Sequence, residues 1–135
     1  MKEIKFRGKR KDNGEWAYGY YLPWHSVKDM TGEDVYAQIF EEPDEKHRNG
    51  WVTVKAETVG QYTGLKDKNG KEIYEGDIVS LNKDMLGCYV VQYDVKNARF
   101  SMYRDNYEQA GFNLETMKNY EVVGNIYDNP ELIKE

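Results

Sequence analysis

Short runs that alternate apolar and polar residues recur along this chain, with turn-forming residues between them. Residues 4–7 and 15–22 both alternate with period two, which is typical of half-buried β-strands. Asp12, Asn13 and Gly14 lie between these runs, and Asn and Gly adopt positive φ at low cost. The pattern therefore predicts an N-terminal β-hairpin.

The second strand of this hairpin has two faces of different composition. Trp16, Tyr18, Tyr20 and Leu22 share one face, whereas Ala17, Gly19 and Tyr21 share the other. A half-buried strand usually turns its aromatic residues inward, so we expect this aromatic stripe to be buried. The alternative is that the stripe lies on the surface and makes contacts there.

The next part of the chain predicts further strands separated by loops. Pro23 is expected to end the second strand, because proline donates no ladder hydrogen bond. A loop or short helical turn should follow over residues 25–33. Strands are then predicted at residues 34–40, 51–54 and 58–62, with a charged loop at 41–49.

The C-terminal half begins with the strongest turn signal of the chain, at residues 67–70, which contain an Asn-Gly pair. Asp105 is a candidate helix cap, but Gly111 interrupts the helix, so residues 104–119 are predicted as a short helix or a long loop. Pro130 favours a terminal helical turn. Strands are predicted at residues 77–81, 88–94, 99–103 and 121–126.

Many short strands with turns between them predict a mainly β protein, with an α+β arrangement as the alternative. Residues 1–62 are expected to form a lobe rich in β-hairpins. Residues 63–135 are expected to form a small SH3-like barrel with a short terminal helix, and both lobes should make one compact unit. Periodicity supports the strands and leaves closure of the barrel open.

Composition narrows the class of protein. Aromatic residues make up 14% of the chain, with 12 tyrosines, which is too many for a disordered chain. Tyrosine suits both half-buried strands and contact surfaces. The single cysteine allows no internal disulfide, and neither a signal peptide nor an apolar run of membrane-spanning length is recognised. We therefore expect a cytoplasmic protein that does not insert into a membrane.

Charge is distributed unevenly along the chain. The net charge of −5 argues against a general nucleic-acid binder. The first eleven residues nevertheless hold six basic residues and one acidic residue, whereas residues 33–45 hold six acidic residues and no Lys or Arg. The basic head could attract the acidic segment, within one chain or between two copies.

Few residues are candidates for catalysis or metal binding. His25 and His47 are the only histidines, and the acidic residues near His47 lack the spacing of an EF-hand or zinc site. Cys88 lies within an apolar strand, where cysteine usually acts as a small hydrophobic residue. We expect no catalytic residues, no metal and no cofactor.

Two blocks of sequence carry a family resemblance. Residues 61–79 read QYTGLKDKNGKEIYEGDIV, and residues 121–132 read EVVGNIYDNPEL. In these blocks the chain resembles the YopX family of bacteriophage and prophage proteins. This resemblance implies no catalytic residues. The matching residues expected to shape turns and core are Tyr62, Gly64, Leu65, Asp67, Gly70, Gly76, Asp77, Gly124 and Asn125.

Three classes of function remain at this point. The first is a non-enzymatic phage or prophage accessory protein in the bacterial host cytoplasm, acting as an interaction module for a protein partner and able to form homo-oligomers. The second is a nucleic-acid binder, because basic residues beside aromatic rings suit single strands. Its contact residues would be Arg7, Lys9, Arg10, Lys11, Trp16, Tyr18 and Tyr20. The third, an enzyme, has the least support.

Overall fold

The computed structural model describes residues 4–41, 50–81, 87–105, 107–109 and 111–133, with the backbone alone at residues 23–26 and 34. Within these residues the chain is mainly β, as predicted, with one short α-helix and short 3-10 turns. The strands are β1 (Phe6–Lys9), β2 (Trp16–Lys28), β3 (Asp34–Phe40), β4 (Trp51–Lys55), β5 (Gly60–Lys66), β6 (Glu72–Tyr74), β7 (Asp77–Ser80), β8 (Cys88–Asp94), β9 (Arg99–Arg104), β10 (Tyr107–Gln109) and β11 (Glu121–Asn125).

These strands form two antiparallel sheets. One has the order β4-β3-β2-β1-β5-β6, and the other has the order β10-β9-β8-β7-β11. The chain divides into two compact units, Met1–Gln61 and Tyr62–Glu135, so that β5 begins in the first unit and ends in the second.

The first unit buries one face of its sheet. β1 and β2 form the predicted hairpin, in which Gly8 lies opposite Ala17. Beyond β1, Arg10 forms an isolated bridge with Val54, which brings the end of the hairpin strand to β4. The core of this unit is made by the inward residues Ala17, Ala37, Ile39, Val52 and Val54, with Phe6, Tyr21, Ala56 and Val59 packed against them.

Two predictions for the first unit are wrong. β2 continues through Pro23 to Lys28, although Pro23 was expected to end the strand and a loop was expected over 25–33. The pairing of β2 with β3 shifts register between Leu22 and Val27, so no ladder partner is required at Pro23. Thr58 was predicted within a strand, but it ends a 3-10 turn, Ala56–Thr58, before β5 begins.

The second unit buries both faces of its sheet. One cluster contains Val79, Val91 and Met102, and the other contains Ile78, Cys88 and Val90. The predicted hairpin of β8 and β9 is present, and β11 returns to pair with β7. Within the described residues no pairing joins β10 to β11, so closure into an SH3-like barrel is not confirmed.

Residues between β9 and β11 differ from their prediction in two respects. The strand β10 occupies Tyr107–Gln109 and pairs with β9, although only a short helix or a long loop was predicted there. Asp105 does not cap a helix, because it lies in a turn with φ of 55°. The helix α1 (Leu114–Met117) begins later, where Asn113 Oδ1 accepts a hydrogen bond from the Thr116 amide at 2.9 Å. The terminal turn predicted from Pro130 is confirmed as a 3-10 turn, Pro130–Leu132.

Candidate interaction surface

The outer face of the first unit's sheet carries a row of aromatic side chains. Tyr20 lies opposite Phe40 in the β2–β3 ladder, and Phe40 lies opposite Trp51 in the β3–β4 ladder. Directly opposed residues of antiparallel strands point to the same side of a sheet, so the three rings form one row across three strands. With Trp16 and Tyr18 on β2, we call these five residues the aromatic face.

Much of the aromatic face is exposed to solvent. Tyr18, Tyr20 and Trp51 are 42%, 56% and 53% exposed, respectively. The expectation that the stripe of Trp16, Tyr18 and Tyr20 would be buried is therefore wrong, and Trp16 alone of the three is half-buried. Such a contiguous aromatic patch is characteristic of an interaction surface.

At Gly8 and Ala17 the inner face holds small residues, because the strands approach each other closely at that point. A Cβ placed on Gly8 would lie 2.8 Å from Val54 Cγ2 and 3.2 Å from Ile39 Cδ1. Ala17, opposite Gly8, is completely buried. An indole or phenol ring at position 17 would not fit this space, so the aromatic stripe of β2 is directed outward.

Arg7 and Lys9 lie beside Trp16 on the same side of the hairpin. The guanidinium carbon of Arg7 is 4.4 Å from the centroid of the Trp16 ring, and Lys9 Nζ is 5.7 Å from it. Arg7 is only 4% exposed, so its cation–π contact is part of the packed structure. Arg7 therefore has little surface to offer a partner, whereas Lys9 is half-buried at the edge of the face.

Arg10 is held by two carboxylates. Its Nε and Nη2 donate to the two carboxylate oxygens of Asp12 at 3.1 and 3.2 Å, and its Nη1 lies 3.6 Å from Glu41 Oε1. The hydrogen bond to Asp12 raises the pKa of Arg10, and the same bond lowers the pKa of Asp12. Because the guanidinium neutralises both acids, Arg10 acts mainly as a local counter-ion.

Lys11 makes a further cation–π contact, with Tyr36 of β3. Its Nζ lies 4.5 Å from the centroid of the Tyr36 ring, and its amide donates to the Thr53 carbonyl at 3.0 Å. Lys55 is exposed and lies opposite Tyr36 in the β3–β4 ladder. Two ammonium groups therefore flank Tyr36 on the outer side of the sheet.

An open groove runs beside β4 at this end of the face. Its volume is about 390 Å³, and its lining residues are Arg10, Lys11, Asp12, Trp51, Val52 and Thr53. The groove joins a flat ring to cationic groups, which suits a partner that is both planar and anionic.

Three members of this surface were missed by the sequence analysis. Phe40 and Trp51 lie in predicted strands, and Lys55 directly follows the strand predicted at residues 51–54. No sequence signal, however, gave the register of β2, β3 and β4. Since register decides which residues share a face, the row became visible only when the strands were paired.

The family-motif residues lie in turns and in the core of the second unit. Gly64, Gly70 and Gly76 all have positive φ, and Tyr62 is buried while Leu65 packs against the second unit's core. Asp77 accepts a hydrogen bond from the Tyr74 amide at 2.7 Å.

Asn125 and Gly124 shape the turn after β11. Asn125 Oδ1 accepts from the Tyr127 and Asp128 amides at 3.0 and 2.9 Å. Gly124 gives room to Asn129, since a Cβ there would lie 2.5 Å from Asn129 Oδ1.

The candidates for chemistry remain few. Cys88 is buried beside Ile78 and Val90, which fits its predicted structural use. His47 and the loop predicted at 41–49 fall outside the described residues, apart from Glu41, and His25 is described by its backbone alone. In the described part of the chain, no three His, Cys, Asp or Glu side chains are grouped as metal ligands, and no helix has the length and apolar character needed to span a membrane.

A comparison of the chain with known proteins gives the same family as the motif residues. No curated protein matches the chain. The crystal structure of protein EF1440 from Enterococcus faecalis is similar, with 23% sequence identity, a TM-score of 0.59, and coverage of 99% of this chain and 100% of that one, which indicates a shared fold. The family model described as YopX protein matches residues 5–134. The chain therefore belongs to the YopX family.

Proposed function

We propose that this protein is a non-enzymatic interaction module that binds its partner through the aromatic face. The observation that carries the proposal is the exposure of Tyr18, Tyr20 and Trp51 on one side of one sheet. Tyr and Trp supply much contact area with little loss of side-chain entropy, and they dominate the binding energy of many interfaces. We also propose that it acts as a phage or prophage accessory protein in the bacterial host cytoplasm.

The rings are held by the sheet, which favours binding without a large ordering cost. Phe40 and Trp51 make an edge-to-face contact with centroids 5.4 Å apart and an interplanar angle of 77°. Preorganised side chains lose little freedom on association, so more of the contact energy contributes to affinity.

The test compares capture of partners by the wild-type chain and by two variants. In the face variant, Tyr20→Ser and Trp51→Ser remove two exposed rings. In the control variant, Tyr107→Ser removes a 70% exposed ring from the second unit. Tagged chains are purified from prophage-induced cells, and bound protein and nucleic acid are both identified.

We expect the control variant to capture what the wild type captures, and the face variant to lose it, while both retain the wild-type circular dichroism spectrum. Equal capture by the folded face variant and the wild type would refute the use of the aromatic face.

Self-association is a separate part of the proposal. Two aromatic faces could pack against each other in a symmetric dimer, in which the same patch serves both copies. Light scattering after size exclusion should then give a dimer mass for the wild type and a monomer mass for the face variant. A monomer at tens of micromolar would refute self-association and leave the binding of other partners unaffected.

For the second unit we propose the SH3-like arrangement predicted from sequence. Its support is the strand order β10-β9-β8-β7-β11, in which a meander is completed by a last strand that returns beside the first. Nuclear Overhauser contacts between β10 and β11 would demonstrate closure, and their absence from a fully assigned spectrum would exclude it.

A further inference from the structure

We propose, on the basis of the proposed function, that the partner of the aromatic face is single-stranded nucleic acid. Its bases stack on Tyr18, Tyr20 and Trp51, and its phosphates are bound by Lys11 and Lys55. This set differs from the one predicted from sequence, because Arg7 is buried and Arg10 is bound to carboxylates.

The spacing of the rings suits successive bases of an extended strand. Tyr18 and Tyr20 are two residues apart on β2, so their side chains emerge about 6.6 Å apart. That separation is roughly twice the rise of about 3.4 Å per nucleotide in one strand of a duplex. Neighbouring bases would therefore unstack from each other and each stack on a ring instead.

The row across the sheet offers a second direction for stacking. Tyr20 and Trp51 are separated by the width of two strand spacings, about 9.5 Å, with Phe40 between them. Phe40 is half-buried and supports the Trp51 ring from its edge. Tyr20 and Trp51 thus expose their rings on either side of the half-buried Phe40.

The charges near the face complement a phosphate backbone. Among the described residues, no carboxylate lies within ion-pair distance of Lys11 or Lys55. Asp12, which lines the groove, and Glu41 are both bound by Arg10. A net charge of −5 for the chain is therefore compatible with a local surface that attracts anions.

A regular alternation of planar groups and anions distinguishes single strands from other partners. A nucleic-acid strand carries one base and one phosphate in every repeat, which matches rings and ammonium groups on one surface. In a duplex the base faces are hidden by stacking, so the rings could not be used. Stacking and phosphate contacts do not depend on the sugar, so single-stranded DNA and RNA should both bind.

The test measures binding of fluorescein-labelled 15-nucleotide single strands of DNA and RNA of mixed sequence by anisotropy, with the duplex of the same sequence as a comparison. The full chain is used at 50 mM salt and titrated to about 100 μM. We expect both single strands to bind at least tenfold more tightly than the duplex.

Variants identify the rings and the lysines. Tyr20→Ser and Trp51→Ser should each weaken binding by about tenfold, whereas Tyr107→Ser in the second unit should leave it within about twofold. Lys11→Gln and Lys55→Gln should each reduce the slope of log affinity against log salt by about 0.7, and Lys96→Gln, on an exposed turn of the second unit, should not change it.

Several results would overturn the inference. These are the absence of binding to either single strand at 100 μM protein, equal affinity for the duplex, or full affinity in the folded Tyr20→Ser and Trp51→Ser variants. If oligonucleotides do not bind but capture of a protein in cells still requires the aromatic face, the partner is a protein. In that case the nucleic-acid inference fails and the proposed function stands.

Discussion

Asp67 connects two parts of the second unit through a single carboxylate. Its Oδ1 accepts hydrogen bonds from the Asn69 and Lys71 amides at 2.8 and 2.9 Å. Its Oδ2 accepts one from the Val122 amide in β11 at 2.9 Å. The side chain therefore closes the Asn-Gly turn and also holds β11, which lies 55 residues further along the chain.

We predict that Asp67→Asn breaks the bond to β11 and leaves most of the turn intact. The side-chain amide keeps one oxygen for the Asn69 and Lys71 amides, but its NH2 group then faces the Val122 amide. A hydrogen bond to a charged acceptor contributes about 1.5–3 kcal/mol, and the Val122 amide is partly buried, so we expect a loss of about 2 kcal/mol in the free energy of unfolding.

Asp67→Ala removes all three acceptor contacts. Water can replace the carboxylate at the exposed Asn69 and Lys71 amides, so the additional loss should be modest, giving about 3 kcal/mol in total. Asp94→Asn is the matched control, because Asp94 is also a turn aspartate but its hydrogen bonds go to Asn97 in the same turn. We expect the control to cost less than about 1 kcal/mol.

Urea unfolding followed by circular dichroism measures these losses, and amide hydrogen exchange locates them. All three tryptophans, at positions 16, 24 and 51, lie in the first unit, so tryptophan fluorescence reports separately on that unit. Exchange of the Val122 amide should accelerate in Asp67→Asn but not in Asp94→Asn. Equal urea midpoints for Asp67→Asn and the control, with Val122 still protected, would refute the role assigned to Asp67.

Three further predictions concern stability. Gly124→Ala should cost about 1–3 kcal/mol of unfolding free energy, since its Cβ would lie 2.5 Å from Asn129 Oδ1, and urea unfolding should show a smaller cost in an Asn129→Ala background. Burial raises the pKa of Tyr120. Its contribution to stability is therefore complete below the unfolded pKa of about 10 and is lost as pH rises through the folded value. Tyr120→Phe should flatten this alkaline loss in urea midpoints measured from pH 8 to 11, and an unchanged profile would contradict the prediction. Ala98 has a φ of 53°, so Ala98→Gly should raise the melting temperature by relieving about 1 kcal/mol of backbone strain, and a lower melting temperature would show that the turn is not strained.

The candidate surface could be predicted only in part. The sequence identified Tyr18, Tyr20 and the basic residues of the hairpin as a group, because the alternation along β2 is clear. The expectation that a half-buried strand turns its aromatic residues inward assigned the stripe to the wrong side of the sheet. Phe40, Trp51 and Lys55 joined the group through the pairing of β2, β3 and β4, which no local signal contains.

By itself the sequence determined the local structure of this protein. The Asn-Gly turn, the aspartate acceptors at 67 and 77, the glycines with positive φ and most strands follow from interactions between residues close in the chain. Such preferences act over a few residues, so they can be recognised without a fold.

Only the tertiary structure decided which face of β2 is buried and which cations remain available. Val54 and Ile39 approach Gly8 so closely that a ring would not fit there, and Ala17 lies opposite Gly8 on the same inward face. Arg10 is bound by Glu41, which lies more than thirty positions away in the sequence. Both outcomes depend on contacts between strands that are distant in the sequence. These contacts, and the space and charge that they occupy, exist only after the strands have packed.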